Sequence, residues 1–145
     1  MGLSMKISKT ILNKLLKKAK ESLKNSYSPY SQYRVAAAAL AKSGKIYGGT
    51  NIENASYGLT MCAERCAIFK AISEGEKEII ALFIIVSQDP KLPEATPCGA
   101  CRQVIAEFAR PDAHIYTLNL QDKKPPVMRM LKEYLPNAFT PKNLE

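Results

Sequence analysis

Apolar residues recur at helical spacing early in the chain. Ile11, Leu12, Leu15, Leu16, Ala19 and Leu23 share one side of a helix, while Lys9, Lys14, Lys17, Lys18, Lys20 and Lys24 take the other. The pattern predicts an amphipathic, lysine-rich helix within residues 1–25. Residues 25–31 are rich in turn-formers, and residues 34–41 and 45–53 then flank Ser43-Gly44 as a β-hairpin. Over residues 60–74, Met61, Cys62, Ala63, Cys66, Ala67, Ile68, Phe69, Ala71 and Ile72 are apolar on most sides, which predicts a helix at the centre of the domain, closed by Gly75. Residues 79–86 form a near-continuous branched-chain run, as expected of a strand covered on both faces. Pro97 leads into a helix over 98–109, followed by strands over 114–120 and 126–130 and a last helical turn over 131–135. This order implies a mixed sheet sandwiched by helices, an α/β or α+β three-layer arrangement.

A length of 145 residues suits a single domain over residues 1–145, and 46% apolar with 23% charged residues suits a folded globular chain. No apolar run approaches the roughly 18 residues of a membrane span. The first twenty residues alternate lysines with leucines where a signal peptide would have an unbroken apolar stretch, and position 6 lacks the Ser or Thr of a myristoylation motif. Cytoplasm is the expected compartment. The four cysteines are then metal ligands, catalytic thiols or core residues, not disulfides. The net charge of +8 raises the question of a polyanionic partner. Much of it lies on the first helix without interleaved arginines or stacking aromatics, so a solvated helix face is the expected reading and a nucleic-acid partner is not.

The chemistry concentrates in Thr60-Met-Cys-Ala-Glu-Arg-Cys66 and Pro97-Cys-Gly-Ala-Cys-Arg-Gln103. Cys98 and Cys101 open one predicted helix and Cys62 another, and helix N-termini favour thiolates through their free N–H groups and dipole. Three thiolates converging there would leave a fourth tetrahedral position, as a catalytic zinc site requires. Glu64 is the candidate proton carrier. A C-x-x-C pair alone leaves structural zinc, redox chemistry and chance all open.

The stretch Cys62-Ala-Glu-Arg65 with Pro97-Cys-Gly-Ala-Cys101 resembles the zinc motif of the cytidine deaminase family in its three-cysteine form. Ser28-Pro-Tyr-Ser-Gln-Tyr-Arg-Val35, Gly49-Thr-Asn-Ile-Glu-Asn-Ala-Ser-Tyr57 and Leu135-Pro-Asn-Ala-Phe139 extend the resemblance to the short, homotetrameric members over most of the chain. It implies an α/β fold, a three-layer α/β/α sandwich with a mixed five-stranded sheet. It also implies a small nucleoside as substrate, a homotetramer, and one zinc per subunit held by Cys62, Cys98 and Cys101. Water acidified by the metal to a pKa of about 7 would then attack C4 of cytidine or deoxycytidine, with Glu64 acting as base and acid in turn. Pyrimidine salvage is the implied setting.

By the same resemblance Arg65 tunes the charge of the sulfurs, with Arg102 as a lesser candidate. Asn51 and Glu53, two apart on a predicted strand, point the same way and grip the ribose 3′-hydroxyl. Tyr33 stands where the family usually has Phe beside the base, and Ala63 belongs to the substrate site. Ala55, Tyr57 and Phe139 resemble residues contributed to a neighbouring subunit's pocket. Cys66 departs from the family's usual small hydroxyl residue. As a fourth sulfur it would make the site structural, the alternative to catalysis, while a nucleoside antibiotic or a polynucleotide cytosine are alternative substrates. His114 is expected to be structural, Gly48, Gly49 and Gly99 to serve turns or tight approaches, and no nucleotide cofactor is implied.

Overall fold

The computed structural model describes residues 6–145, and the first five residues of the expected N-terminal helix lie outside them. Helix α1 (Lys9–Leu23) starts where the Ser8 hydroxyl accepts the Ile11 N–H at 3.2 Å, so Lys6 and Ile7 precede the helix. Leu15 and Ala19 are buried on its inner side, while Lys9, Lys14, Lys17, Lys20 and Lys24 are exposed.

Strands β1 (Val35–Ala41) and β2 (Ile46–Thr50) form the expected hairpin through Ser43 and Gly44. β1 also pairs antiparallel with β3 (Ile79–Val86), which runs parallel to β4 (Ala109–Asn119), and β5 (Val127–Met130) closes the edge antiparallel to β4. The sheet order is β2-β1-β3-β4-β5. Side chains alternate across it. Ala36, Ala38 and Leu40 pack with Leu15 and Ala19 of α1, while Ala37, Ala39 and Ala41 join the core of α2 (Ala63–Ser73), α3 (Gly99–Phe108) and the short α4 (Leu131–Tyr134). These two cores make the predicted α/β/α sandwich around a mixed five-stranded sheet.

Small residues let the layers close. Ala36, Ala37, Ala38 and Ala39 are fully buried between helices on both faces. On β2, a Cβ at Gly48 would overlap the Ser22 hydroxyl of α1, and one at Gly49 would overlap Ala67 N and stand 2.7 Å from the Ala63 carbonyl oxygen of α2. The two adjacent glycines therefore admit one helix each. Gly99 has open space around its Cβ position, so it is not a tight-approach residue. Gly75 ends α2 with φ 100°, a conformation that disfavours any side chain.

Several element boundaries depart from expectation. β2 stops at Thr50, not residue 53, because the Asn51 side chain bonds Val35 N–H and the Tyr33 carbonyl in place of a continued ladder. β4 begins at Ala109, earlier than residue 114. Ile79 pairs with Ala109 but Ala81 with His114, so Arg110, Pro111 and Asp112 fall in an irregular stretch where a proline is tolerated. α2 begins at Ala63, leaving Cys62 as its N-cap, and it is not buried all round: Phe69 is 42% exposed.

Replacing Gly49 forces β2 away from α2. Gly49→Ala is expected to cost about 1–3 kcal/mol, as overpacking does, and to lower Tm by several degrees. A Tm equal to the parent's in thermal denaturation would contradict this packing.

Candidate active site

Two antiparallel pairings in succession leave β2, β3 and β4 running in one direction. α2 follows β2 and α3 follows β3, so both helices start at the carboxyl edge of the parallel strands, where open α/β sheets place ligands. Cys62 caps α2 and Cys98 caps α3, and Cys101 lies in the first turn of α3. The three sulfurs lie within 4.8 Å of one another, with Cys62 Sγ and Cys98 Sγ 3.8 Å apart. Zinc with bonds of about 2.3 Å in a tetrahedron separates its sulfurs by about 3.8 Å. Among the described residues, the cluster contains Cys62, Cys98 and Cys101 and does not include Cys66.

The electrostatics also favour a cation. The Cys101 thiol donating to it, with Arg65 and Cys98 assisting against the cost of burial, holds the Cys62 thiol down at about 5. Cys101 is pushed the opposite way, first by that hydrogen bond and then by burial and the charge of Glu64. One negative charge therefore settles easily on the bare cluster, and a second needs a divalent ion beside it. Arg65 directs Nη2 at Cys62 Sγ from 3.4 Å, and its Nε–H is buried with no hydrogen-bond partner among the described residues. Three soft thiolates at two helix starts, faced by a guanidinium that draws off charge, fit one zinc per chain.

Beside the sulfurs, Glu64 is 5% exposed on the first turn of α2. Burial pushes its carboxyl up to about 7, and the Cys62 thiolate adds to the rise. It lines a cavity of about 360 Å³ together with Cys62, Cys98, Ala63, Tyr33, Asn51 and Glu53. Asn51 and Glu53 are buried and the intervening Ile52 is 48% exposed, so the two side chains share one face although they lie beyond the strand.

Both are held firmly. Asn51 Oδ1 accepts from Val35 N–H at 3.0 Å and from the Ser26 hydroxyl, and Nδ2 donates to the Tyr33 carbonyl at 2.6 Å. Glu53 Oε2 accepts from Tyr30 N–H at 2.8 Å and Ser31 N–H at 3.2 Å, and Oε1 accepts from the Ser31 hydroxyl. That hydroxyl is the main cause holding Glu53 below the ordinary carboxylate range. Gln32, at φ 58°, turns the chain between Ser31 and Tyr33. Burial, and secondarily the charge of Glu64, raises the Tyr33 phenol. Sequence reasoning assigned no role to Ser26 or Ser31, although both lie in a turn-rich segment and Ser31 also falls within the family-like stretch of residues 28–35.

Three expected substrate residues are not brought to this cavity. Tyr57 is 75% exposed and lines an adjoining hollow with Tyr30 and Ser31, Phe139 is 58% exposed, and Ala55 is exposed. Arg102 does not hydrogen-bond a sulfur: Nε donates to the Pro97 carbonyl at 2.7 Å and Nη1 to the Tyr134 carbonyl at 2.9 Å. His114 packs on Tyr116, with Nδ1 3.3 Å from its hydroxyl, midway along β4, and is not among the residues that line this cavity.

Residues 9–117 match the family model of the cytidine and deoxycytidylate deaminase zinc-binding region. The chain belongs to this family. Among its deaminase relatives, the cytidine deaminase of Halalkalibacterium halodurans is 45% identical over 130 residues, covering 90% of this chain and 95% of the relative. That of Sporosarcina psychrophila is 42% identical over 134 residues, covering 92% and 94%. The crystal structure of the cytidine deaminase from Burkholderia pseudomallei superposes with a TM-score of 0.79 at 35% identity, covering 88% of this chain and 98% of that one. The deaminase zinc-binding region thus includes the helix start bearing Cys62 and that bearing Cys98 and Cys101.

Two outcomes follow from this donor set. Cys66→Ala is expected to keep one zinc per chain by elemental analysis, while Cys62→Ser, Cys98→Ser or Cys101→Ser loses most of it; loss on changing Cys66 would make the site four-sulfur. Because the raised Cys101 thiol must give up its proton to bind, affinity rises with pH. Metal-stripped protein should release at least about one proton per zinc at pH 7 in a dye-indicator titration, and uptake without proton release would contradict the charge assignment.

Proposed function

We propose that the chain hydrolyses the exocyclic C–N bond of cytidine and deoxycytidine, giving uridine and deoxyuridine with ammonia, as a zinc-dependent cytoplasmic homotetramer of pyrimidine salvage. The observation that carries this reading is the shared cavity, lined at once by the buried Glu64, by Cys62 and Cys98, and by Asn51 with Glu53.

Bound at Cys62, Cys98 and Cys101, zinc supplies the Lewis acidity that brings the pKa of water to about 7. Glu64 takes a proton from the attacking water and passes it to N3, which makes C4 electrophilic. It then delivers the second water proton to the departing amino nitrogen, so water and cytidine become uridine and ammonia with no net proton change. Ala63, at the first helical position, has a backbone N–H with no partner within the helix, available to an oxygen of the pyrimidine.

Glu53 retains acceptor capacity beyond its bonds to Tyr30 and Ser31, and Asn51 retains one N–H beyond the bond to Tyr33. A donor and an acceptor side by side match a ribose hydroxyl, which both gives and takes a hydrogen bond. Tyr33 supplies the aromatic wall for the base.

The exposure of Tyr57, Leu59, Phe69 and Phe139 supports the assembly, since such side chains are covered when subunits meet. Ala55, Tyr57 and Phe139 then complete a neighbour's site. Against a structural four-sulfur module stands the absence of Cys66 from the cluster. Against a polynucleotide substrate stands the placement of the lysines on α1, which packs on the face of the sheet opposite α2 and α3. Among the described residues no helix is long and apolar enough to cross a membrane.

The direct test follows cytidine by its loss of ultraviolet absorbance. Glu64→Gln should keep its zinc and lose roughly 10²–10⁴ in kcat. Free cytosine, which leaves the polar grip of Asn51 and Glu53 unpaired, should fall on the order of 10⁴ in kcat/KM. Full zinc with no turnover of either nucleoside would overturn the reading, and turnover of a cytosine-containing oligonucleotide alone would replace it with the polynucleotide one.

A further inference from the structure

One wall of the cavity is carried by a segment with no regular secondary structure of its own. Ala95 and Thr96 line the space for substrate, and Cys98 follows them into α3. This segment is tied down at both ends. At Pro97, the carbonyl accepts Arg102 Nε at 2.7 Å, and Arg102 also reaches the Tyr134 carbonyl and lies 5.1 Å from the centre of its ring. At Glu94, the carboxylate accepts Arg129 Nη1 of β5 at 2.9 and 3.1 Å and the hydroxyl of Thr117 on β4. Arg129 returns to Tyr134, with Nη1 3.4 Å from its hydroxyl and the guanidinium carbon 5.9 Å from its ring centre.

An exposed ion pair alone contributes little. Here the side chains of Arg129 and Glu94 are 38% and 34% exposed, but the third partner, Thr117, is only 1% exposed. Its hydroxyl has its hydrogen bond to Glu94, so release of the loop strands a buried polar group as well as parting two charges. The circuit from Thr117 through Glu94, Arg129, Tyr134 and Arg102 to Pro97 closes around residues 94–97, and β4, β5 and α4 are its rigid side.

We infer that Glu94 and Arg129 are positioning residues that strap residues 94–96 to the sheet and so set the width of the nucleoside cavity at Ala95 and Thr96. The strap is distinct from the hold on Cys98, which the Arg102 bond to Pro97 keeps when Arg129 is lost. It therefore acts on nucleoside binding more than on the chemical step. The inference rests on the deaminase reading only for what the cavity binds.

The test compares Arg129→Met, Arg129→Lys, Glu94→Gln and the Glu94→Gln/Arg129→Met double variant by zinc content, by KM and kcat for cytidine, and by backbone hydrogen exchange. Arg129→Met should raise KM about tenfold with kcat within about threefold and one zinc per chain. Exchange at Ala95 and Thr96 should quicken about tenfold while that of Cys98 and of β3 is unchanged. Arg129→Lys should return both readings toward the parent, because a single nitrogen of Arg129 makes all of its own hydrogen bonds in the strap. The double variant should be no worse than Arg129→Met, the sign of one shared interaction.

Unchanged exchange at Ala95 and Thr96 in Arg129→Met, or additive effects in the double variant, would overturn the inference. If Arg129→Met does not fold, Glu94→Gln against the parent decides by the same exchange measurement. Should the parent fail to turn over cytidine, the exchange pattern still judges the strap, so the two readings fail separately.

Discussion

Everything at the active site depends on two helices starting within a few ångströms of each other at one edge of a sheet. The parallel sense of β2, β3 and β4 forces α2 and α3 to begin at the same carboxyl edge, and Cys62 and Cys98 occupy their N-caps. A helix start offers unpaired N–H groups and the positive end of its dipole, which is where a thiolate is least costly. Three sulfurs gathered there carry more negative charge than two helix ends and Arg65 can balance. The opposite displacements of Cys62 and Cys101 express that shortfall. A divalent cation removes it, and Glu64, two residues along from Cys62 at the same helix start, is thereby fixed beside the metal position.

The rest of the site is organised to keep polar groups rigid before any ligand arrives. Asn51 spends most of its hydrogen-bonding capacity on Ser26, Tyr33 and Val35, and Glu53 most of its capacity on Tyr30 and Ser31. Both residues line the cavity, so on the proposed reading a hydroxyl bound there would require little further ordering. The close approach of α2 at Gly49 serves the same end, because it seats the helix that carries Ala63 and Glu64 directly against the hairpin leading to Asn51.

The metal-binding face of the site was legible in the chain because its chemistry is local: a C-x-x-C pair at a helix start, and a cysteine and glutamate two apart at another. Hydrophobic period and turn residues made the helices and strands legible and left α/β and α+β both open, while the α/β/α sandwich was what the family resemblance implied. What sequence could not show arises where distant segments meet. The pairing of Glu94 with Arg129 joins residues 35 positions apart with no pattern to announce it. The early start of β4 was hidden by Arg110, Pro111 and Asp112, which read as a loop while the bulge against β3 absorbs them. Asn51 looked like a free strand polar, and its side chain proved to end the strand itself. Phe69 fell on a helix that reads as apolar on most sides, but it is 42% exposed, and no layer among the described residues covers it fully.

The central claim is that the convergence of α2 and α3 creates a three-sulfur zinc site and leaves Cys66 outside it. X-ray absorption at the zinc edge of the purified protein measures this directly. The account predicts a shell of three sulfurs at about 2.3 Å, unchanged in Cys66→Ala. Four sulfurs in the parent, falling to three in that variant, would contradict it and make the centre structural.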